Sequence, residues 1–151
     1  MTIDVADFAE IGSITAGGNV QIRGEGDVIV ADVEAINLVL IVHGTAELEN
    51  VKVVGHVQLD AVGRLMVSSI DSNSMMLTAG SSLTAGKLSS YGPVEISAVN
   101  VYLTTVEGYT VDVTVDDVLL FQKLFATVDV TILSNGQVVS AADSSITSMY
   151  G

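Results

Sequence analysis

Between Val20 and Leu83 the chain restarts an apolar stretch about every nine residues, at Val20, Val28, Val39, Leu48, Val57, Leu65, Met75 and Leu83. Inside the stretches apolar and polar residues alternate. Val20-Gln21-Ile22-Arg23, Val57-Gln58-Leu59-Asp60 and Val94-Glu95-Ile96-Ser97 are examples, and Leu48-Glu49, Val51-Lys52-Val53 and Val99 to Thr104 repeat the pattern. A period of two puts alternate side chains on opposite faces of a strand, so each stretch predicts a half-buried strand. Regular recurrence of such strands predicts a stack of similar units. The breaks hold Gly24, Gly26, Gly44, Gly55, Gly63, Gly80, Gly86, Gly92 and Gly108. Glycine suits tight corners, where positive φ is expected.

Two steps of the repeat make a coil of about 18 residues. That length fits a short β-solenoid, in which inward side chains of successive coils form continuous ladders. The alternative is a β-sandwich or jelly roll. Hairpin signals for it are sparse, because Asn135-Gly136 is the only such dipeptide and lies outside the repeat.

Three regions are expected. Residues 1–18 read as an N-terminal lead-in, with a short turn of helix over Ala6 to Ile11. Residues 19–108 are the β-repeat. Residues 109–151 read as C-terminal strands and a short helix forming an atypical cap or assembly arm. In the last region Tyr109 to Asp116 and Val128 to Ile132 alternate as strands. Val118, Phe121 and Phe125 fall at helical spacing behind an Asp116-Asp117 cap. Ser140 to Gly151 reads as a loop or arm. The plainer reading of the Phe-rich segment is a plug for the end of the core. The sharper one makes Leu120, Phe121, Leu124 and Phe125 contacts to a neighbouring subunit.

Composition adds to this picture. The chain of 151 residues is 49% hydrophobic but only 5% aromatic, with no Trp, so the core is built from many small layers of Val, Ile, Leu, Ala and Met. Such residues favour strand ladders. There are 18 acidic residues against 5 basic ones, a net charge of −13, which repels nucleic-acid phosphates and anionic membranes. Neither nucleic acid nor membrane is therefore an expected partner. The absence of Cys excludes disulfides and thiolate metal sites. Met1-Thr2-Ile3-Asp4 has no basic or apolar signal region, and the apolar run Ile36 to Val42, broken by Asn37, is far too short for a bilayer. A virion or cytoplasmic location is expected.

Candidate chemistry is thin. His43 and His56 are 13 residues apart, neither a coil nor half of one, and zinc needs three or four clustered ligands. Glu47 with Glu49, Asp32 with Glu34, and Asp116-Asp117 are carboxylate pairs whose plainer reading is a solvated acidic face. Gly24-Glu25-Gly26-Asp27 is a single, non-periodic echo of a calcium-binding repeat. No Gly-x-Ser-x-Gly elbow and no Gly-Lys-Ser/Thr phosphate loop occurs. No enzyme activity, cofactor, metal or small-molecule substrate is expected.

Gly24-Glu25-Gly26-Asp27-Val28-Ile29-Val30, followed by Val42-His43-Gly44-Thr45-Ala46-Glu47-Leu48, resembles bactofilins. That resemblance implies a cytoplasmic β-solenoid that polymerises end to end. Ala79-Gly80-Ser81-Ser82-Leu83-Thr84-Ala85-Gly86, continuing to Val94-Glu95-Ile96-Ser97-Ala98, is similar to filamentous-haemagglutinin-type coils. Neither resemblance carries over a functional residue. The expected role is a non-enzymatic structural subunit of a homo-oligomeric assembly, with a virion component (capsid cement or decoration, spike or fibre) as the leading version. Its partners are copies of itself and other structural proteins. A bactofilin-like filament scaffold and a small carbohydrate-binding module are the alternatives.

Overall fold

A computed structural model gives the fold; it describes residues 1–149, with the backbone alone for 141–144. All regular structure in it is strand: β1 (Thr2–Val5), β2 (Phe8–Thr15), β3 (Asn19–Gly24), β4 (Asp27–Ala35), β5 (Asn37–Val42), β6 (Ala46–Val53), β7 (His56–Ala61), β8 (Leu65–Ser72), β9 (Ser74–Ala79), β10 (Ser82–Ser90), β11 (Val94–Ser134) and β12 (Gln137–Ser148). Every pairing is parallel, and up to β11 neighbours skip one strand in sequence: β1-β3-β5-β7-β9-β11 on one side and β2-β4-β6-β8-β10 on the other, with the long β11 also pairing β10 and β12. The chain is therefore a β-solenoid of about eight turns. A sandwich built from hairpins would pair its strands antiparallel.

Registers give the coil length. Val20 sits beside Leu38, 18 residues on, and Leu38 beside Val57, 19 residues on. The inner positions form unbroken columns. One runs Val20, Leu38, Val57, Met75, Val94, and the next Ile22, Leu40, Leu59, Leu77, Ile96. All ten side chains are buried. A strand edge presents as many unpaired backbone groups as it has residues, and each coil supplies those of its neighbour. Burial and backbone pairing thus arise from the same stacking step.

Each longer strand bends once in its middle. In β4, Val28 and Val30 point inward, Ala31 and Asp32 both point outward, and Val33 and Ala35 point inward again. The strand ladders skip one residue at that corner, at Gly12, Ala31, Glu49, Ser68, Gly86, Thr104 and Gln122 in turn. A coil therefore has three straight segments, represented by Val20 to Gly24, Val28 to Val30 and Val33 to Ala35.

This corner explains where the sequence misleads. Across it the inner residues are three apart, as in Val30 to Val33, Leu48 to Val51 and Phe121 to Leu124, and that spacing imitates a helix. Residues 118–125 are strand, with Leu119, Phe121 and Leu124 inside and the corner at Gln122 and Lys123. The Ala6 to Ile11 region is likewise strand, as part of β2, and residues 1–15 make a full first coil rather than a lead-in. The repeat does not stop at Tyr109: β11 runs on through the sixth and seventh coils into the eighth. Residues 140–148, expected as loop or arm, belong to β12, while Tyr150 and Gly151 lie outside the described residues.

The glycines also need a different explanation. None of the described glycines has a φ between +20° and +160°. Gly26, Gly63, Gly80, Gly86, Gly92 and Gly136 lie instead where one coil crowds a carbonyl of the preceding one. A Cβ on Gly26 would overlap the Asp7 carbonyl, and one on Gly80 would overlap that of Val62. Stacked strands are only about 4.8 Å apart, so a corner that bulges along the axis leaves no room for a side chain. Gly80→Ala is expected to cost about 2 kcal/mol or more, because backbone and not a flexible side chain must move. Urea denaturation of the variant against the parent chain checks this.

Candidate functional site

The four apolar residues expected at a subunit contact do not share a surface. Phe121 and Leu124 are 3% and 0% exposed and lie in the central core, below Leu103 and Val106 of the preceding coil. Leu120 and Phe125 point the other way and are half-buried on two different outer segments. Leu120 shares a shallow hollow with Thr84, Tyr102 and Gln122. The alternation Leu119 in, Leu120 out, Phe121 in could have been read from the sequence had the corner at Gln122 been seen.

The polar residues singled out are used to tie coils together. His43 Nδ1 lies 2.8 Å from Glu25 Oε2, and His56 Nδ1 lies 2.8 Å from Ser74 Oγ, each across one coil step and at different places on the coil. Asp32 accepts a bond from Asn50 Nδ2 at 2.9 Å, and Asp27 accepts one from the Thr45 backbone N–H at 2.7 Å. The Gly24 to Asp27 segment is thus a corner held to the next coil by its two carboxylates. Glu47 and Glu49 do not present one face, because Glu49 sits on the corner that the ladder skips. Asp116 and Asp117 are both exposed at another corner. Among the described residues no three His, Asp or Glu side chains gather into a metal-binding group.

One corner carries a short amide ladder that the sequence reading missed. Asn37 Nδ2 donates to Asn19 Oδ1 at 2.8 Å, and Asn37 Oδ1 accepts from the His56 backbone N–H at 2.8 Å. Three coils are joined through one side chain. Its only signal in the sequence is Asn at Asn19 and Asn37, one coil apart. Buried side-chain polar atoms are all satisfied among the described residues, including Ser72, whose hydroxyl donates to the Ser74 carbonyl at 3.1 Å.

The outer surface offers two apolar features. Along the corner that closes each coil stand two apolar pairs, Ile36 with Val54 and Tyr91 with Tyr109, separated by Asn73 of the coil between them; Val54 is 79% and Tyr91 84% exposed. Backbone bonds set the corner residues on successive coils: Val54 N donates to Ala35 O, Asn73 N to Gly55 O, Tyr91 N to Ser72 O, and Tyr109 N to Gly92 O. The second feature is the pair of terminal coils. In the first coil the inner row is Met1, Ile3, Val5, Ala9, Ile11, Ile14 and Ala16, set on the second coil by the registers Ile3 to Ile22, Ala9 to Val28, Ile11 to Val30 and Ile14 to Val33. In the eighth coil it is Val130, Ile132, Ser134, Val138, Ser140, Ile146 and Ser148. The described hollows are shallow and lie along the strands, the first of them between Asp4, Val5, Arg23 and Glu25 at the N-terminal end.

No known protein family, curated protein or solved structure matches the chain. No helix of the described residues is long and apolar enough to cross a membrane.

Asn37→Ala removes both ladder bonds and leaves the His56 N–H and Asn19 side chain without that partner. A loss of about 1–3 kcal/mol is expected, measured as a lower urea midpoint with unchanged slope.

Proposed function

We propose that the chain is a non-enzymatic structural subunit of a homo-oligomeric assembly, with a virion component (a capsid decoration, spike or fibre protein) as the leading version. The observation that carries this reading is the stack itself: parallel coils of about 18 residues whose inner rows are apolar and whose outer polar side chains bond coil to coil, as Glu25 with His43, Asp32 with Asn50, and Asn37 with Asn19 and His56 do. A regular rod of that kind presents an extended surface on which copies and other structural proteins can pack.

A cytoplasmic filament scaffold is the second reading, because the coils of one parallel stack can add in series to those of another through their strand edges. The exposed Tyr91 and Tyr109 corner is the surface left for a different structural protein.

At micromolar concentration the purified chain is expected to sediment as a discrete oligomer. A monomer at every concentration, with no binding to particles, would overturn the reading; long unbranched fibres would favour the filament. Each copy carries a charge of −13, so association is also expected to tighten as salt screens repulsion. The dissociation constant measured by analytical ultracentrifugation should fall several-fold from low to physiological ionic strength.

A further inference from the structure

We propose that one long face of the solenoid, the outer side of the segment that Val33 to Ala35 represent, is a docking surface for a second copy of this chain laid antiparallel against it. The inference rests on the homo-oligomeric reading above and names its surface.

Two outer columns build the face. One runs Ser13, Asp32, Asn50, Ser69, Lys87 and Thr105, and the other Thr15, Glu34, Lys52, Asp71, Ser89 and Glu107. The coil step carries them on to Lys123 and Phe125, which stand beside Ser145 and Thr147 of the eighth coil. All three lysines of the chain lie here, Lys52 in the third coil, Lys87 in the fifth and Lys123 in the seventh. The carboxylates fall in the coils between: Asp32 and Glu34 in the second, Asp71 in the fourth and Glu107 in the sixth. Sign therefore alternates coil by coil, negative at the second and positive at the seventh. With four carboxylates to three lysines the two columns are nearly neutral, on a chain whose net charge is −13. Repulsion between copies is least where the charge is balanced.

Within one molecule most of this charge is unused. Lys123 Nζ lies 3.4 Å from Glu107 Oε1. Lys52 stands in register between Glu34 and Asp71, and Lys87 between Ser69 and Thr105. Neither makes an ion pair among the described residues, and both are exposed.

An alternation that begins negative and ends positive over an even number of coils becomes its own opposite when reversed. Two copies set face to face about a two-fold axis along the strands run antiparallel. The second coil then meets the seventh, the third the sixth and the fourth the fifth, and every meeting joins opposite signs. Each column also falls on its own equivalent. Asp32 comes over Lys123, and Lys52 over Glu107. Lys87 comes over Ser69, with Asp71 on the same coil. Glu34 comes over Phe125 and Asp71 over Ser89, so no two like charges are directly opposed. Beyond the charged strip Ser13 meets Ser145 and Thr15 meets Thr147. Every contact occurs twice, as in any isologous interface. Parallel rods related by a two-fold along the rod would instead set each coil on its own equivalent, like charge on like. Matching of this kind fixes orientation and register more than affinity. Up to physiological salt, repulsion between whole rods is screened more than pairs in contact, so association still tightens with salt.

The test uses the full chain. Lys52 and Glu107 lie three coils apart, about 14 Å along one molecule, so they can pair only between copies. Lys52→Glu and Glu107→Lys are each expected to weaken self-association about 10-fold in sedimentation equilibrium, since each sets like charges together twice per dimer. The double variant carrying both changes should recover most of the parent's affinity. Urea midpoints establish that all three variants are folded. Independently, a carbodiimide that joins amines to touching carboxylates should link Lys52 to Glu107 and Lys123 to Asp32 in the parent, read by mass spectrometry. Single variants that associate like the parent, a double variant no better than the singles, or a cross-linked oligomer without these two links overturn this interface while leaving a homo-oligomer standing. A parent chain that stays monomeric overturns both.

Discussion

A coil of this protein cannot be satisfied alone. Its inner row is apolar on one side only, its backbone groups point along the axis, and both demands are met by the next coil about 4.8 Å away. That spacing dictates most of what the sequence contains. Inner columns such as Val20, Leu38, Val57, Met75 and Val94 hold medium-sized aliphatic residues. A large ring fits poorly between coils so close together. Corners hold glycine where the neighbouring carbonyl intrudes, and Asn, Asp or Glu where a side chain can bond across the step.

The same constraint makes departures from the coil pattern the distinctive places in the molecule. In the eighth coil Ser140 and Ser148 stand beside Phe121 and Ala126 of the coil before, and one corner is lengthened between Phe121 and Lys123. The hydroxyls there find partners locally: Ser148 donates to the Val128 carbonyl, and Ser134 accepts from the Gly136 N–H at 3.3 Å.

Much of the architecture was legible because period-two alternation and glycine spacing are local signals. Val20 to Gly24 and Val57 to Ala61 declare strands without help from the rest of the chain. What stayed hidden depended on phase. Each coil slips by one residue at its middle corner, so Phe121 and Leu124 fall three apart and read as a helix, although both point into the same strand-built core. For the same reason the sequence left Phe121 and Leu124 open between core plug and subunit contact, and burial places both in the core; a corner likewise separates Glu47 from Glu49. The glycines were found but explained by chain conformation, whereas the cause is crowding between coils. That cause appears only once residues 18 or 19 apart are set side by side. The Asn19 and Asn37 ladder was missed for the same reason.

Contacts that join only neighbouring turns also shape how the molecule comes apart. Stability is then a sum over adjacent interfaces, as in a one-dimensional lattice. The eighth turn has the most polar interior, so its amide protons should open before those of the middle turns. Mechanical load applied to the two chain ends would peel the rod one turn at a time, each release lengthening it by a similar amount. The molecule is in that sense a ratcheted spring, and its weakest tooth is the serine-bearing turn at the C-terminal end.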